Sequence, residues 1–274
     1  MILLIYSKLD IAGVNIAKFV LQKYPFEQNG QTFQESHVCR TIINRKDVFC
    51  VALKQESVQF QSLSENFPNA ELAVFLSRHS SQSGTPTLSV HTPGNFGKAD
   101  FGGLPRRVSV APAKAMQTAL ITMSEQKTEN HLDYEVSYEC THHGPSLTIP
   151  TMFVELGSSE PQWRDLKAAE VVASAALAAV EDFGDMSQVS TIGVGGTHYN
   201  QKFTKMALND EAIFGHMIPK HAISSMDLEM FLQCINRTYE KVGSITLDWK
   251  GIKGEDKAKL LASLQKTGLQ LRKV

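Results

Sequence analysis

Apolar and polar positions along this chain follow two periods in turn. Ile2 to Tyr6 is a short apolar run bounded by Ser7, the pattern of a buried strand. Asp10 stands at a capping position, and Ile11, Val14, Ala17 and Leu21 then recur at helical spacing. Residues 25–47 are polar and irregular and predict no regular element. Val48 to Leu53, Leu72 to Leu76 and Thr87 to His91 read as further strands. Residues 92–107 open on Thr92-Pro93-Gly94-Asn95 and hold four glycines and two prolines, which predicts a long ordered loop. Loops of that length in compact domains are often functional. Ala113, Met116, Leu120 and Met123 mark a second helix.

Tyr134 to Thr141 alternates with period two. Tyr134, Val136, Tyr138 and Cys140 fall on one face and Glu135, Ser137, Glu139 and Thr141 on the other, which predicts a half-buried strand. Met152 to Leu156 is another strand. Ser159-Glu160-Pro161-Gln162 resembles a capping box opening a helix striped by Leu166, Ala169, Ala173, Ala176, Leu177 and Val180. Val189 to Val194 reads as a strand ending in Gly195-Gly196, and two helices, about 226–239 and 255–267, are expected to close the chain. The alternation argues for an α/β fold with a mixed, largely parallel sheet flanked by helices. The 274 residues read as a single domain with a basic C-terminal helical segment from about 241.

Composition adds little until it is divided along the chain. Apolar residues make up 42% and charged residues 20%, and the net charge is -1, so nothing global calls for a polyanionic partner. From Lys241 to Val274, however, eight Lys or Arg stand against three Asp or Glu. Lys250, Lys253, Lys257 and Lys259 are therefore candidates for contact with RNA phosphates, against the plainer reading of a solvated helix face. The four cysteines form no C-x-x-C pair and suggest no disulfide framework. The first residues lack a basic stretch and turn polar after Tyr6. The expectation is a cytoplasmic, monomeric protein with no membrane or DNA partner.

The candidate chemistry lies in the histidines. His79, His91, the His142-His143 pair and His198 each follow or end a separate predicted strand. Ligands of open α/β sheets bind outside the carboxyl ends of strands, so the five are expected around one pocket at that edge. Arg78 supplies a cation beside His79, Thr141 a hydroxyl, and Gly195-Gly196 close backbone approach beside His198 and Tyr199. Glu139 and Glu155 are the acids nearest these histidines in sequence; Glu155 sits in an apolar stretch, where burial would require a partner such as histidine, against the plainer reading that it faces solvent from an edge strand. No G-x-S-x-G, H-E-x-x-H or G-x-x-x-x-G-K-[ST] motif is present, and zinc is not indicated by ligand spacing.

Ser77-Arg78-His79-Ser80-Ser81 with Ser83-Gly84, His91-Thr92 with Gly94-Asn95, and Thr141-His142-His143-Gly144-Pro145 form the first half of an ordered motif series. Phe153-Val154-Glu155-Leu156-Gly157-Ser158-Ser159 with Trp163, Gly195-Gly196 with His198-Tyr199, and Gly215-His216 with Pro219-Lys220 complete it. In order and spacing the series resembles the archaeal and plant type of D-aminoacyl-tRNA deacylase, from the first strand to about residue 225. Two positions depart from that pattern: Pro93 separates Thr92 from Gly94, and His221 stands where tyrosine is expected.

The resemblance implies hydrolysis of the ester between a D-amino acid and the terminal ribose of tRNA, a phosphorylase/hydrolase-like α/β fold, and zinc. The resemblance does not assign catalytic roles; His142, His143, His198 and Glu155 are taken as the candidate catalytic groups. Arg78, His79, His91, Asn95, Thr141, Gly195, Gly196, Tyr199, His216 and Lys220 are the corresponding substrate-binding groups, and His79, His142 and His198 are candidate metal ligands. The segment from His91 to Gly103 is expected to close on the aminoacyl group and reject the L form. A zinc-dependent peptidase or amidohydrolase, a non-catalytic RNA-binding module and, by fold analogy alone, a nucleoside phosphorylase are the competing readings.

Overall fold

The computed structural model describes all residues, 1–274. Its strands are β1 (Ile2–Ser7), β2 (Glu27–Phe33), β3 (Ser36–Ile43), β4 (Lys46–Leu53), β5 (Leu72–Ser80), β6 (Thr87–His91), β7 (Gly94–Asn95), β8 (Arg107–Val108), β9 (Glu135–Tyr138), β10 (Thr151–Ser158), β11 (Ser190–Val194), β12 (Phe214–Ile218), β13 (Val242–Leu247) and β14 (Gln270–Lys273). Its helices are α1 (Ile11–Lys23), α2 (Leu63–Asn66), α3 (Ala113–Glu129), α4 (Glu160–Trp163), α5 (Leu166–Asp182), α6 (Gln201–Leu208), α7 (Leu228–Asn236) and α8 (Gly254–Gln265).

Eight strands form one mixed sheet in the order β2-β3-β4-β1-β5-β10-β6-β9. β1, β4, β5 and β10 run parallel at its centre, and their unbroken apolar runs follow from cover on both faces. Leu72, Val74, Leu76, Met152 and Val154 face the largest core cluster, shared with α1, α3 and α5. Their odd-numbered neighbours Ala73, Phe75 and Phe153 face a smaller cluster on the other side. Further along the strands this second face turns polar and carries the site. A separate four-stranded sheet, β12-β11-β13-β14, is parallel throughout.

Several sequence expectations are corrected. Residues 25–47, expected to be irregular, hold the β2–β3 hairpin and the start of β4. β2 is an edge strand whose residues are almost all exposed, so it shows no apolar alternation. The capping box at Ser159 opens only the single turn α4, and a second cap, Asp165, opens α5. The chain is closed by strand β14 and not by a helix, and α6, β12 and β13 had no predicted counterpart. The half-buried strand is also revised. Ser137, Glu139 and Thr141, its supposed outer face, are buried. No helix is long and apolar enough to cross a membrane.

Candidate active site

β5 brings Ser77 opposite Glu155 of β10, and β6 brings Ser89 opposite the same residue from the other side. β6 runs antiparallel to β10, and β9 runs with β6. The histidines therefore do not share one carboxyl edge. They meet on a sheet face. His79, Glu155 and His91 lie on the odd-numbered side of their strands, so His91 stacks on Phe153 at 5.2 Å and reaches towards the same carboxylate from an opposed strand.

The segment after β9 is clamped from both sides. Gly94 N–H donates to His142 O at 3.0 Å, Cys140 N–H to His198 O at 2.9 Å, and Thr141 N–H to Met217 O at 2.9 Å. This lays Glu139, Cys140, His142 and His143 against the Thr197–Tyr199 loop that precedes α6.

Glu139, fully buried, is the hub. His198 Nε2 lies 2.8 Å from its Oε2 and His142 Nε2 3.6 Å from the same oxygen. His79 Nδ1 lies 3.1 Å from Glu139 Oε1, without hydrogen-bond alignment, and 3.5 Å from Glu155 Oε2. His91 Nε2 is 3.7 Å from Glu155 Oε1, too far for a hydrogen bond. The Tyr199 hydroxyl is 2.6 Å from His79 Nε2.

Burial opposes charge on His79, His91, His142, His143, Glu139 and Glu155, and proximity decides which of them carry it. For His79 burial is outweighed by Glu139 and Glu155, and its pKa rises to about 11. His91 is raised in the same way, chiefly by Glu155. Glu139 is held well below the carboxylate range because His198 and His79 outweigh its burial. Glu155 is lowered through His79 and His91. His142 and His143 go the other way. Burial, reinforced by neighbouring imidazoles, lowers both, His143 to about 4, so they are neutral near pH 7.

Their tautomers follow from their partners. The Cys140 and Gly144 carbonyls can only accept, so His142 Nδ1–H and His143 Nδ1–H donate to them at 2.8 and 2.6 Å. Each ring keeps a free Nε2. His198 donates through Nε2 to Glu139, leaving Nδ1 3.2 Å from Cys140 Sγ.

These groups border a cavity of about 980 Å³. Arg78, His79, Asn95, Thr141, His142, His143, Glu155, His198 and Tyr199 line it. Arg78 is already engaged, its Nη2 lying 3.1 Å from each Glu56 carboxylate oxygen. Asn95 donates to Gly102 O at 2.9 Å and Leu104 O at 3.3 Å, so its amide shapes the loop and is not free for a ligand. The 92–107 segment is thus already seated as a cavity wall, further fixed by the β7–β8 pairing.

Other expected site residues lie elsewhere. His91 is wholly buried behind the wall, its ring 4.3 Å from that of His142. Gly195 packs under Asp248 and Ile252, and Gly196 and Lys220 border a second cavity of about 250 Å³ with Lys202 and Asp248. The three expected metal ligands do not form one set. His142 and His198 group with Cys140, whereas His79 groups with Glu139 and Glu155. Cys140 and the cavity-lining His221 were missed as site residues, and the hub Glu139 was noted only as an acid near the histidines in sequence. The alternation from Tyr134 to Thr141 had placed Glu139 on a solvent face.

His216 lies inside β12 and is structural. Its Nδ1 is 3.1 Å from Thr141 Oγ1 and its Nε2 3.0 Å from Arg237 O. Burial lowers its pKa to about 4. Because the folded pKa lies below the unfolded value, this histidine contributes stability fully above about pH 6.5, and the contribution is lost as pH falls to 4. The stability advantage of wild type over His216→Gln should therefore shrink by up to roughly 3 kcal/mol between pH 7 and 4 in denaturant titrations. An advantage that stays constant with pH would mean that His216 is not held neutral.

Two buried carboxylates set among histidines at the wall of a large cavity in an α/β sheet are the arrangement of a hydrolytic enzyme. Residues 66–272 match the family model described as D-aminoacyl-tRNA deacylase. The chain is 35% identical over 270 residues to the D-aminoacyl-tRNA deacylase of Thermococcus kodakarensis, covering 96% of each protein. It is 34% identical over 273 residues to that of Pyrococcus abyssi, covering 97% of each. A solved structure of a conserved protein of unknown function, AF0625, matches 100% of this chain and 95% of its own, at 29% identity and a TM-score of 0.88. The chain belongs to the D-aminoacyl-tRNA deacylase family.

Proposed function

We propose that this protein hydrolyses the ester joining a D-amino acid to the terminal ribose of tRNA, releasing the free D-amino acid and uncharged tRNA. The Glu139-centred cluster carries the reading. It sets neutral imidazoles and a charged histidine side by side, and ester hydrolysis needs both an acceptor for the proton of the attacking water and a donor for the oxyanion. His143 is neutral, faces the cavity and has a free Nε2, which takes the water proton and returns it to the ribose oxygen as the ester bond breaks. His79, charged, donates to the Tyr199 oxygen, so the phenolic proton is left to point at the carbonyl oxygen as it gains charge.

Cys140 Sγ, His142 and His198 place their donor atoms within 4.8 Å of one another. One sulfur and two imidazole nitrogens are a donor set zinc accepts, and these three residues would hold it. When bound there, zinc polarises a carbonyl or acidifies a water. We further propose that it acts as a monomer in the cytoplasm, where charged tRNA is used, with neither DNA nor membrane as partner.

The test is turnover of D-aminoacyl-tRNA by the purified protein, with and without chelator. Release of D-amino acid and intact tRNA supports the reading, and loss on chelation supports the zinc. RNA binding without turnover contradicts the reading.

α8 packs against the 3-10 turn Lys220–Ser225, and His221, Ala222 and Ser225 of that turn line the cavity. A tRNA with its 3′ end in the cavity therefore passes beside α8. Lys250 and Lys259 are exposed; Lys253 lies 3.9 Å from Glu255, and Lys257 covers the Trp249 ring at 4.5 Å. Replacing Lys250, Lys253, Lys257 and Lys259 by Gln should weaken tRNA binding and lower the slope of log affinity against log salt by about 2–4. An unchanged slope would make this helix a solvated face only.

A further inference from the structure

We propose that Phe101 is the stacking platform for the terminal adenine of the tRNA, a base-binding subsite at the mouth of the cavity; this rests on the deacylase reading. Phe101 is 75% exposed, the most exposed of the large apolar side chains and the only aromatic among the exposed ones. A single exposed apolar residue is ordinarily unremarkable. This one lines the cavity, and its backbone is held firmly.

Gly144 N–H, next to His143, donates to Phe101 O at 3.0 Å. Asn95 holds the carbonyl of Gly102, and Leu104 N–H donates to Ser146 Oγ at 3.0 Å. Gly102 and Gly103 adopt φ of +76° and +78°, and a Cβ on Gly102 would lie 2.2 Å from Val58 O. No side chain fits there, and the left-handed backbone favours glycine. The sequence thus fixes a tight turn whose outcome is an aromatic ring presented to solvent beside the histidine cluster.

What that ring meets follows from the substrate. The scissile ester is carried by the same sugar that carries the terminal base. With the ester at His143 and Tyr199, the base lies one sugar's width away, at the cavity mouth. A base offers an apolar π-face, and exposed aromatics are the usual partners of unpaired bases. The remaining aromatics of the wall are less available. Phe96 is buried, and the Tyr199 hydroxyl is engaged by His79.

The experiment compares 3′-O-(D-alanyl)adenosine with the corresponding D-alanyl ester of 1-deoxyribose, which lacks the base, and follows adenosine binding by NMR titration of the whole protein. Stacking is sensitive to alanine substitution at about the tenfold level. Phe101→Ala should raise KM for the adenosine ester about tenfold with kcat little changed, leave the base-less ester unaffected, and weaken adenosine binding to match. Phe101→Trp should restore both. Equal effects on the two esters, or adenosine binding that ignores Phe101, would overturn the subsite. If wild type turns over neither these esters nor D-aminoacyl-tRNA but binds adenosine through Phe101, the deacylase reading falls and the base site stands.

Discussion

Glu139→Gln is expected to lower the single-turnover rate of D-aminoacyl-tRNA hydrolysis by about 10²–10⁴-fold, the range over which a positioned acid–base apparatus acts. Gln keeps the size of the side chain and removes its charge. His79 then retains only Glu155, 3.5 Å away, as a counter-charge, and its hold on the Tyr199 hydroxyl weakens with its protonation. His198 loses the carboxylate that fixes Nε2 as its proton-bearing nitrogen. Removing one partner from buried charges is also destabilising, by about 3–5 kcal/mol where no other partner exists and less here because Glu155 remains. Circular dichroism at low temperature separates lost fold from lost function. A folded Glu139→Gln protein with near-wild-type turnover would remove Glu139 from the centre of the account.

Gly144→Ala, next to the cavity-lining His143, should be strongly damaging for a single added methyl. A Cβ on Gly144 would lie 2.2 Å from Gly103 N, 2.4 Å from Gly102 C and 2.4 Å from Val58 O. All three are backbone atoms, so no side chain can swing aside, and the two loop segments must separate. Overpacking of this kind costs about 1–3 kcal/mol or more. The melting temperature should fall by about 3–10 °C, with hydrolysis lost as His143 and the Phe101 turn move apart. Gly254→Ala, with nothing within 4 Å of its Cβ, is the control and should leave both unchanged. Equal melting temperatures for the two variants would show that the contact between these loops yields easily.

Legibility in the sequence depended on local signal. The central strands β1, β4, β5 and β10, and β6 beside them, could be read because cover on both faces leaves runs of apolar residues. Asp10 could be read as a cap, and it does accept from Gly13 N–H. β2 could not, since an edge strand exposed on both faces has no alternation to detect. β12 and β13 interrupt their apolar residues with Gly215, His216, Gly243 and Ser244, and β14 is mostly exposed, so none of them shows a clear apolar run.

Four of the five histidines line one cavity and His91 lies buried behind it, but the reason given for gathering them was partly wrong. Parallel strand ends predicted one pocket, but β6 and β9 are opposed to β10, and residues meet there because they share a sheet face. That geometry is invisible without the strand order. For the same reason Glu139, though close to the histidines in sequence, was given no role. Period two says which residues share a face and says nothing of what covers it. His216 and Lys220, adjacent to site residues in the motif series, are directed elsewhere by the β12 strand and the turn that follows it.

Matched D- and L-aminoacyl-tRNA, bearing the same amino acid on the same tRNA, are compared under saturating wild-type protein, with Glu139→Gln run in parallel. The account predicts rapid release from the D substrate, an L substrate that persists at its spontaneous rate, and a D substrate that persists when Glu139 is replaced although the tRNA still binds. Hydrolysis of both substrates at comparable rates, or D-specific hydrolysis that survives the loss of Glu139, would contradict it.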